Sequence, residues 1–223
     1  IRENRISNVV GAGSTGEATI APSQFSIDVT YGLGVPENYI EGTALAVEYI
    51  ESIVIGDLSD QVDGDGNPVD DLSISVQWGL LSGGDGPGGP AADAGRLVRR
   101  DGSDANLYLA YTGEVGIDNS IEDAQDSISV GAASKRMVHE IGHILGFATG
   151  VIGDFGYHDA NLDYINGINA LREYRKIVPG ASVIPMQDDT GAHWEEAEFG
   201  TETMTPTSGY PNRFFSTLSV GLL

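Results

Sequence analysis

The sequence predicts an α+β fold in which strands are layered against helices. Three observations lead there. Phe25, Ile27, Val29 and Tyr31 alternate with polar residues, the period of a half-buried strand. The next long segment carries its apolar residues at helical spacing, and a strand feeding a long helix belongs to a layered architecture rather than an all-β sandwich. The pattern then repeats: Leu72, Ile74, Val76 and Trp78 alternate as a second strand, and residues 128–138 form a proline-free run with a helical apolar face.

Composition narrows the function. The chain has 223 residues, 40% of them hydrophobic, enough for one large domain or two small lobes around a sizeable core. No apolar run approaches the length of a membrane span. The formal net charge is -22 and Lys135 and Lys176 are the only lysines, a balance that repels nucleic-acid phosphates. It suits high solubility, cation binding or salty surroundings. Cysteine is absent, so disulfides and thiolate metal ligands are excluded. No signal peptide is visible at Ile1, and the expectation is a processed or trimmed chain.

In chain order, Gly11, Gly13 and Gly16 match G-x-G-x-x-G. A dinucleotide site needs a helix to open at those glycines. The residues that follow, with Thr19, Ile20, Pro22 and Ser23, lack helical periodicity, so a turn between extended segments is expected instead. After the first strand and Pro36, a helix is predicted over 38–55. Its expected inner face is Ile40, Ala44, Val47, Ile50 and Val54, and Gly56 ends it.

Residues 60–71 are acidic. Asp63, Asp65 and Asn67 alternate as oxygen ligands do at the start of a calcium loop, but Ile74 stands where the closing glutamate of an EF-hand would be. A calcium site and a solvated acidic turn are both open readings. Residues 79–95 are rich in glycine and read as a long loop within the domain. Leu107, Tyr108, Leu109, Ala110 and Tyr111 form a short strand ending at Gly113. It is read either as a sheet edge that pairs with an extended peptide or as an ordinary interior strand.

The most specific stretch is His139-Glu140-Ile141-Gly142-His143-Ile144-Leu145-Gly146, an H-E-x-x-H-x-x-G motif. On a helix, positions 139 and 143 lie one turn apart on one face, so both imidazoles reach one metal ion. Zinc suits such a site because it takes nitrogen ligands tetrahedrally and keeps a position open for water. Glu140 is not a ligand in this motif; it is placed to take a proton from a zinc-activated water. Beyond it, Ile165, Ile168, Leu171 and Tyr174 predict a helix over 163–176, stopped at Pro179-Gly180. Residues 181–213 are mostly irregular, and Ser216 is expected to cap a last helix from Thr217. That helix breaks off at Leu223, and the natural chain is expected to run on.

A catalytic zinc needs a third protein ligand. The short form of the motif would place it at position 149, which is Thr149. The remaining candidates are His158, His193 and, in another class of zinc peptidase, Glu173.

His193-Trp194, followed by Glu202-Thr203-Met204-Thr205-Pro206, resembles the second half of a leishmanolysin-type metzincin site. The resemblance covers about 130–223. It implies a metzincin-type catalytic domain: a twisted mixed sheet, an active-site helix with a backing helix, and a smaller irregular C-terminal lobe. Residues 1–147 would form the upper lobe and 148–223 the lower. His139, His143 and His193 would bind zinc, Glu140 would be the general base, and Met204 would lie beneath the ligands as the Met-turn. The implied activity is that of a secreted, extracellular, monomeric endopeptidase whose protein or peptide substrate lies extended between the lobes. Calcium is a second candidate cation. Two departures stand out: there is no cysteine for the disulfides or latency switch of eukaryotic members, and no tyrosine two residues after Met204, Tyr210 lying further on. A zinc peptidase with Glu173 as third ligand and a catalytically silent zinc-binding module are the other readings.

Overall fold

The structure is a computed structural model that describes residues 25–54, 56–79, 81, 91–100, 109–119, 128–147, 164–187, 191–200, 202–206 and 215–220. The glycine motif at 11–16, Leu107, Tyr108, Thr149, His158 and Tyr210 lie outside the described residues. The chain is α+β with a mixed sheet, as its periodicities predict.

Four strands build that sheet: β1 (Ile27–Tyr31), β4 (Leu72–Gly79), β5 (Ala92–Arg99) and β6 (Ala110–Asp118). Their spatial order is β1-β4-β6-β5. β1, β4 and β6 are mutually parallel, with Val29 opposite Ile74 and Val76 opposite Val115; β5 runs antiparallel to β6. β2 (Gln61–Val62) and β3 (Pro68–Val69) make a small hairpin before β4. Two long helices accompany the sheet: α1 (Glu37–Ile53) follows β1, and α2 (Val130–Leu145) carries the histidine motif. They are followed by β7 (Tyr164–Ile165), α3 (Ile168–Tyr174), β8 (Ile184–Pro185), α4 (Glu196–Phe199) and α5 (Thr217–Val220). One hydrophobic cluster runs continuously from Phe25 through Ile74, Val115 and Ile141 to Trp194, Met204 and Leu218. No described helix is long and apolar enough to cross a membrane.

Where α1 turns its inner face differs from the expectation. The buried residues are Tyr39, Gly42, Thr43, Ala46 and Ile50, while Ala44 is exposed and Ile40 and Val47 are half-buried. Small residues explain the rotation. A Cβ on Gly42 would lie 2.7 Å from Ala133 Cβ, so α1 turns its smallest side chains toward α2 and the two backbones approach closely. Branched side chains at 40 and 47 fill the flanks instead.

The strand expected at 107–111 is also corrected. Its described part, from Ala110, opens β6, which continues through Gly113 to Asp118 and lies between β4 and β5. It is an interior strand, and the sheet edge on that side is β5. The carbonyl of Ala110 is occupied as well, accepting from the buried Arg100 side chain at 2.8 Å. The same guanidinium donates to the carbonyls of Asp71 (2.6 Å) and Ser59 (3.2 Å), tying three segments together. β5 itself begins inside the stretch 79–95 read as a glycine-rich loop and runs on to Arg99. Its sequence, A-D-A-G-R-L-V-R, lacks apolar alternation, because an edge strand with a broken register needs none: the pairing shifts between Gly95 and Val98, and Arg96 adopts φ 49°.

Asp63, Asp65 and Asn67 sit at the β2–β3 turn. The Asp63 carboxylate accepts from the Asp65 amide (2.9 Å), the Asn67 amide (2.8 Å) and the Asn67 side chain (2.9 Å). These bonds, led by the Asn67 side chain, hold its carboxyl below the usual range. Asp63 thereby organises the backbone of the turn.

Candidate metal centre

α2 begins where Ser129 accepts a hydrogen bond from the Ala132 amide at 3.2 Å, an N-cap that sets the helix phase. About three and four turns later that phase delivers His139 and His143 to one face. The helix ends at Gly146, whose φ of 131° is unfavourable for any residue with a Cβ. The turn brings the Phe147 amide to the Gly142 carbonyl at 3.0 Å and swings the Phe147 carbonyl back to His143 Nδ1 at 2.6 Å. Gly146 thus ends the helix as expected and also sets the orientation of a ligand.

His139 is oriented in the same manner from a distant segment: its Nδ1 lies 2.6 Å from the carbonyl oxygen of Thr203. A carbonyl only accepts, so in both residues Nδ1 carries the hydrogen and Nε2 keeps its lone pair. Those lone pairs converge. His143 Nε2 lies 3.0 Å, and His193 Nε2 3.2 Å, from His139 Nε2. All three residues offer ligand atoms within 4.8 Å of one another. The His143 ring stands edge-on to both others, while His139 and His193 stack at 17°.

Without a proton between them, two nitrogen lone pairs 3.0 Å apart repel, and a shared cation removes the conflict. Tetrahedral zinc with Zn–N of ~2.0–2.1 Å separates its nitrogens by about 3.3 Å, close to the observed spacings. The donor set therefore fits a metal ion of this type. Burial pushes the His143 imidazole below its ordinary value, which keeps it neutral and available as a ligand.

Glu140 is buried beside the cluster at 6% exposure. Its carboxyl is pushed up to about 8, first by burial and then by the Asp93 carboxylate; Arg136 and the Ala94 amide, which donates to it, act the other way. Both Asp93 and Ala94 belong to β5, so the sheet's edge strand runs beside the centre. Arg136 is itself engaged by the Tyr39 hydroxyl.

Met204 is fully buried beneath the helix. A Cβ at Gly142, between the two histidine turns, would meet the Met204 sulfur at 2.6 Å. The Met204 carbonyl accepts from the Trp194 amide at 2.9 Å, so the turn under the helix is bonded directly to the segment carrying His193. Glu173 lies elsewhere: its carboxylate pairs with Lys176 and, at 3.4 Å, with Arg172, and no described histidine group includes it.

Two arrangements, though not the residues in them, escape sequence reasoning. Glu202, two residues before Met204, is a buried carboxylate surrounded by donors, yet in sequence it is one acid among 33 acidic residues. Asp57, Asp70 and Asp71 also bring carboxylates within 4.8 Å of one another. Asp71 there is structural, its oxygens accepting from the Ser26 (2.7 Å) and Leu58 (2.6 Å) amides. No protein-family model matches this chain, and no curated protein matches it either.

Proposed function

We propose that this protein is a secreted zinc endopeptidase of the leishmanolysin-like metzincin type, with His139, His143 and His193 as the zinc ligands and Glu140 as general base. The observation that carries this reading is the approach of His193 Nε2 to within 3.2 Å of His139 Nε2, on the helix face beside a buried Glu140. The mixed sheet, the pairing of α1 with α2 and the placement of Met204 under Gly142 support it, since the resemblance implies each of them.

Zinc, when bound, supplies a Lewis acid that polarises a carbonyl and makes water acidic near neutral pH. Glu140 moves the protons. Its carboxyl is buried next to the His139 and His143 turns, where it would take a proton from the attacking water and return it to the leaving amine. The carbonyls of Thr203 and Phe147 hold the ligand rings in one tautomer throughout. Among the described residues β5 pairs with β6 alone, and apart from the Ala94 amide, which donates to Glu140, its outer edge is proposed to receive an extended peptide by backbone hydrogen bonding. That role passes to β5 from residues 107–111.

The test is cleavage of a mixed peptide library by zinc-loaded wild type and Glu140→Ala. Cleavage by wild type alone, stopped by a chelator, supports the proposal. Equal silence from both with zinc bound favours the catalytically silent module, and equal cleavage by both rejects Glu140 as the base.

A further inference from the structure

The loop that carries Met204 and the Thr203 carbonyl is held by a buried acid that no chemical step uses. Glu202 is 3% exposed. One carboxylate oxygen, Oε2, accepts from the Met204 amide. The other, Oε1, accepts from the Ser216 amide (3.0 Å), the Ser216 hydroxyl (2.9 Å) and the Ser219 hydroxyl (2.5 Å). Ser219 Oγ in turn accepts from the indole N–H of Trp194 at 2.9 Å. Trp194 and Ser219 are both fully buried, and Trp194 directly follows His193.

We infer that Glu202, acting through Ser219 and Trp194, is the positioning residue that holds the third ligand and the His139 tautomer in one arrangement. This rests on the metal-centre reading above. The logic is one of connectivity. From a single carboxylate, one arm fixes the turn whose Thr203 carbonyl faces His139 Nδ1, and the other fixes the indole beside His193. The Oε1 arm is anchored at the cap and first turn of α5, so the last described helix is coupled through Ser219 to Trp194, 25 residues earlier in sequence. A carboxylate can accept all four donors at once, whereas an amide cannot: its NH2 group would face a donor. An apolar residue would leave those donors buried without partners.

Glu202→Gln keeps the shape and breaks this acceptor set. The readouts are cobalt and zinc affinity by competition with a chromogenic chelator, the visible spectrum of the cobalt-loaded protein, and the melting temperature of the metal-free protein. The expected result is metal affinity weakened ~10–100-fold with an altered cobalt spectrum, the size typical of lost partners behind metal ligands. Ser219→Ala, which cuts only the arm to Trp194, should weaken affinity about 10-fold, at the lower end of that range. If Glu202→Gln does not fold, Ser219→Ala decides alone. A lowered melting temperature with unchanged affinity and spectrum would overturn the inference and leave Glu202 a purely structural anchor. Failure of the wild type to bind either metal would instead overturn the metal-centre reading beneath it.

Discussion

His139 Nδ1 lies 2.6 Å from the carbonyl oxygen of Thr203, a residue 64 positions further along the chain. The contact joins α2 to the turn carrying Met204, and it makes the tautomer of His139 depend on a remote backbone segment. The metal site is therefore assembled by tertiary packing, and the predictions below perturb that packing where it is tightest.

Gly142→Ala should be costly although alanine favours helices. Its Cβ would sit 2.6 Å from the Met204 sulfur and 3.1 Å from the Phe215 ring. Overpacking of this kind costs ~1–3 kcal/mol, against a helix-propensity gain of about 1 kcal/mol. Chemical denaturation should show net destabilisation, and metal affinity should fall because the turn beneath the helix is displaced.

Met204→Ala and Met204→Leu separate volume from chemistry. The side chain is fully buried. Alanine should destabilise the fold by ~2–5 kcal/mol through the cavity it leaves, and leucine by less than about 1.5 kcal/mol. If the sulfur does no more than fill space, the leucine variant retains its zinc affinity in a competition titration.

The metal-free protein should lose stability as pH rises. Glu140 has its folded-state carboxyl raised from 4.5 to about 8, so between those values the folded state holds a proton that the unfolded state has released. The unfolded state then binds fewer protons, and the slope of unfolding free energy against pH is negative. At ~1.4 kcal/mol per pH unit, the window amounts to on the order of 5 kcal/mol. Urea melts of metal-free wild type and Glu140→Gln should diverge across it, the wild type losing stability relative to the variant toward pH 8. Parallel curves would place the Glu140 carboxyl in a solvated environment.

Elements whose burial follows from their own residues were readable in the sequence; those set by neighbours were not. Ile27 to Tyr31 and Leu72 to Trp78 alternate because one face of each meets the core, and both are strands as expected. The cap at Ser216 is equally local, its hydroxyl accepting from the Ser219 amide at 3.3 Å. The helix expected over 163–176 is shorter, Ile168–Tyr174, because Tyr164 and Ile165 pair with β8. The inner face of α1 was misread because close helix packing selects Gly42 and Ala46, which hydrophobic counting ignores. β5 was missed because its residues carry no pattern, its place being fixed by hydrogen bonds to β6. At the metal centre, the motif and His193 were legible from residue type and order. The Glu202 network was not, since what distinguishes that glutamate is burial among Ser216, Ser219 and the Met204 amide.

The most direct test of the account is X-ray absorption at the zinc edge, on wild type and His193→Ala loaded with one zinc per chain. The account predicts three imidazole nitrogens at ~2.0–2.1 Å in the wild type and two in the variant, with affinity sharply reduced. An unchanged spectrum and affinity in His193→Ala, or a carboxylate oxygen in place of the third imidazole, would contradict it.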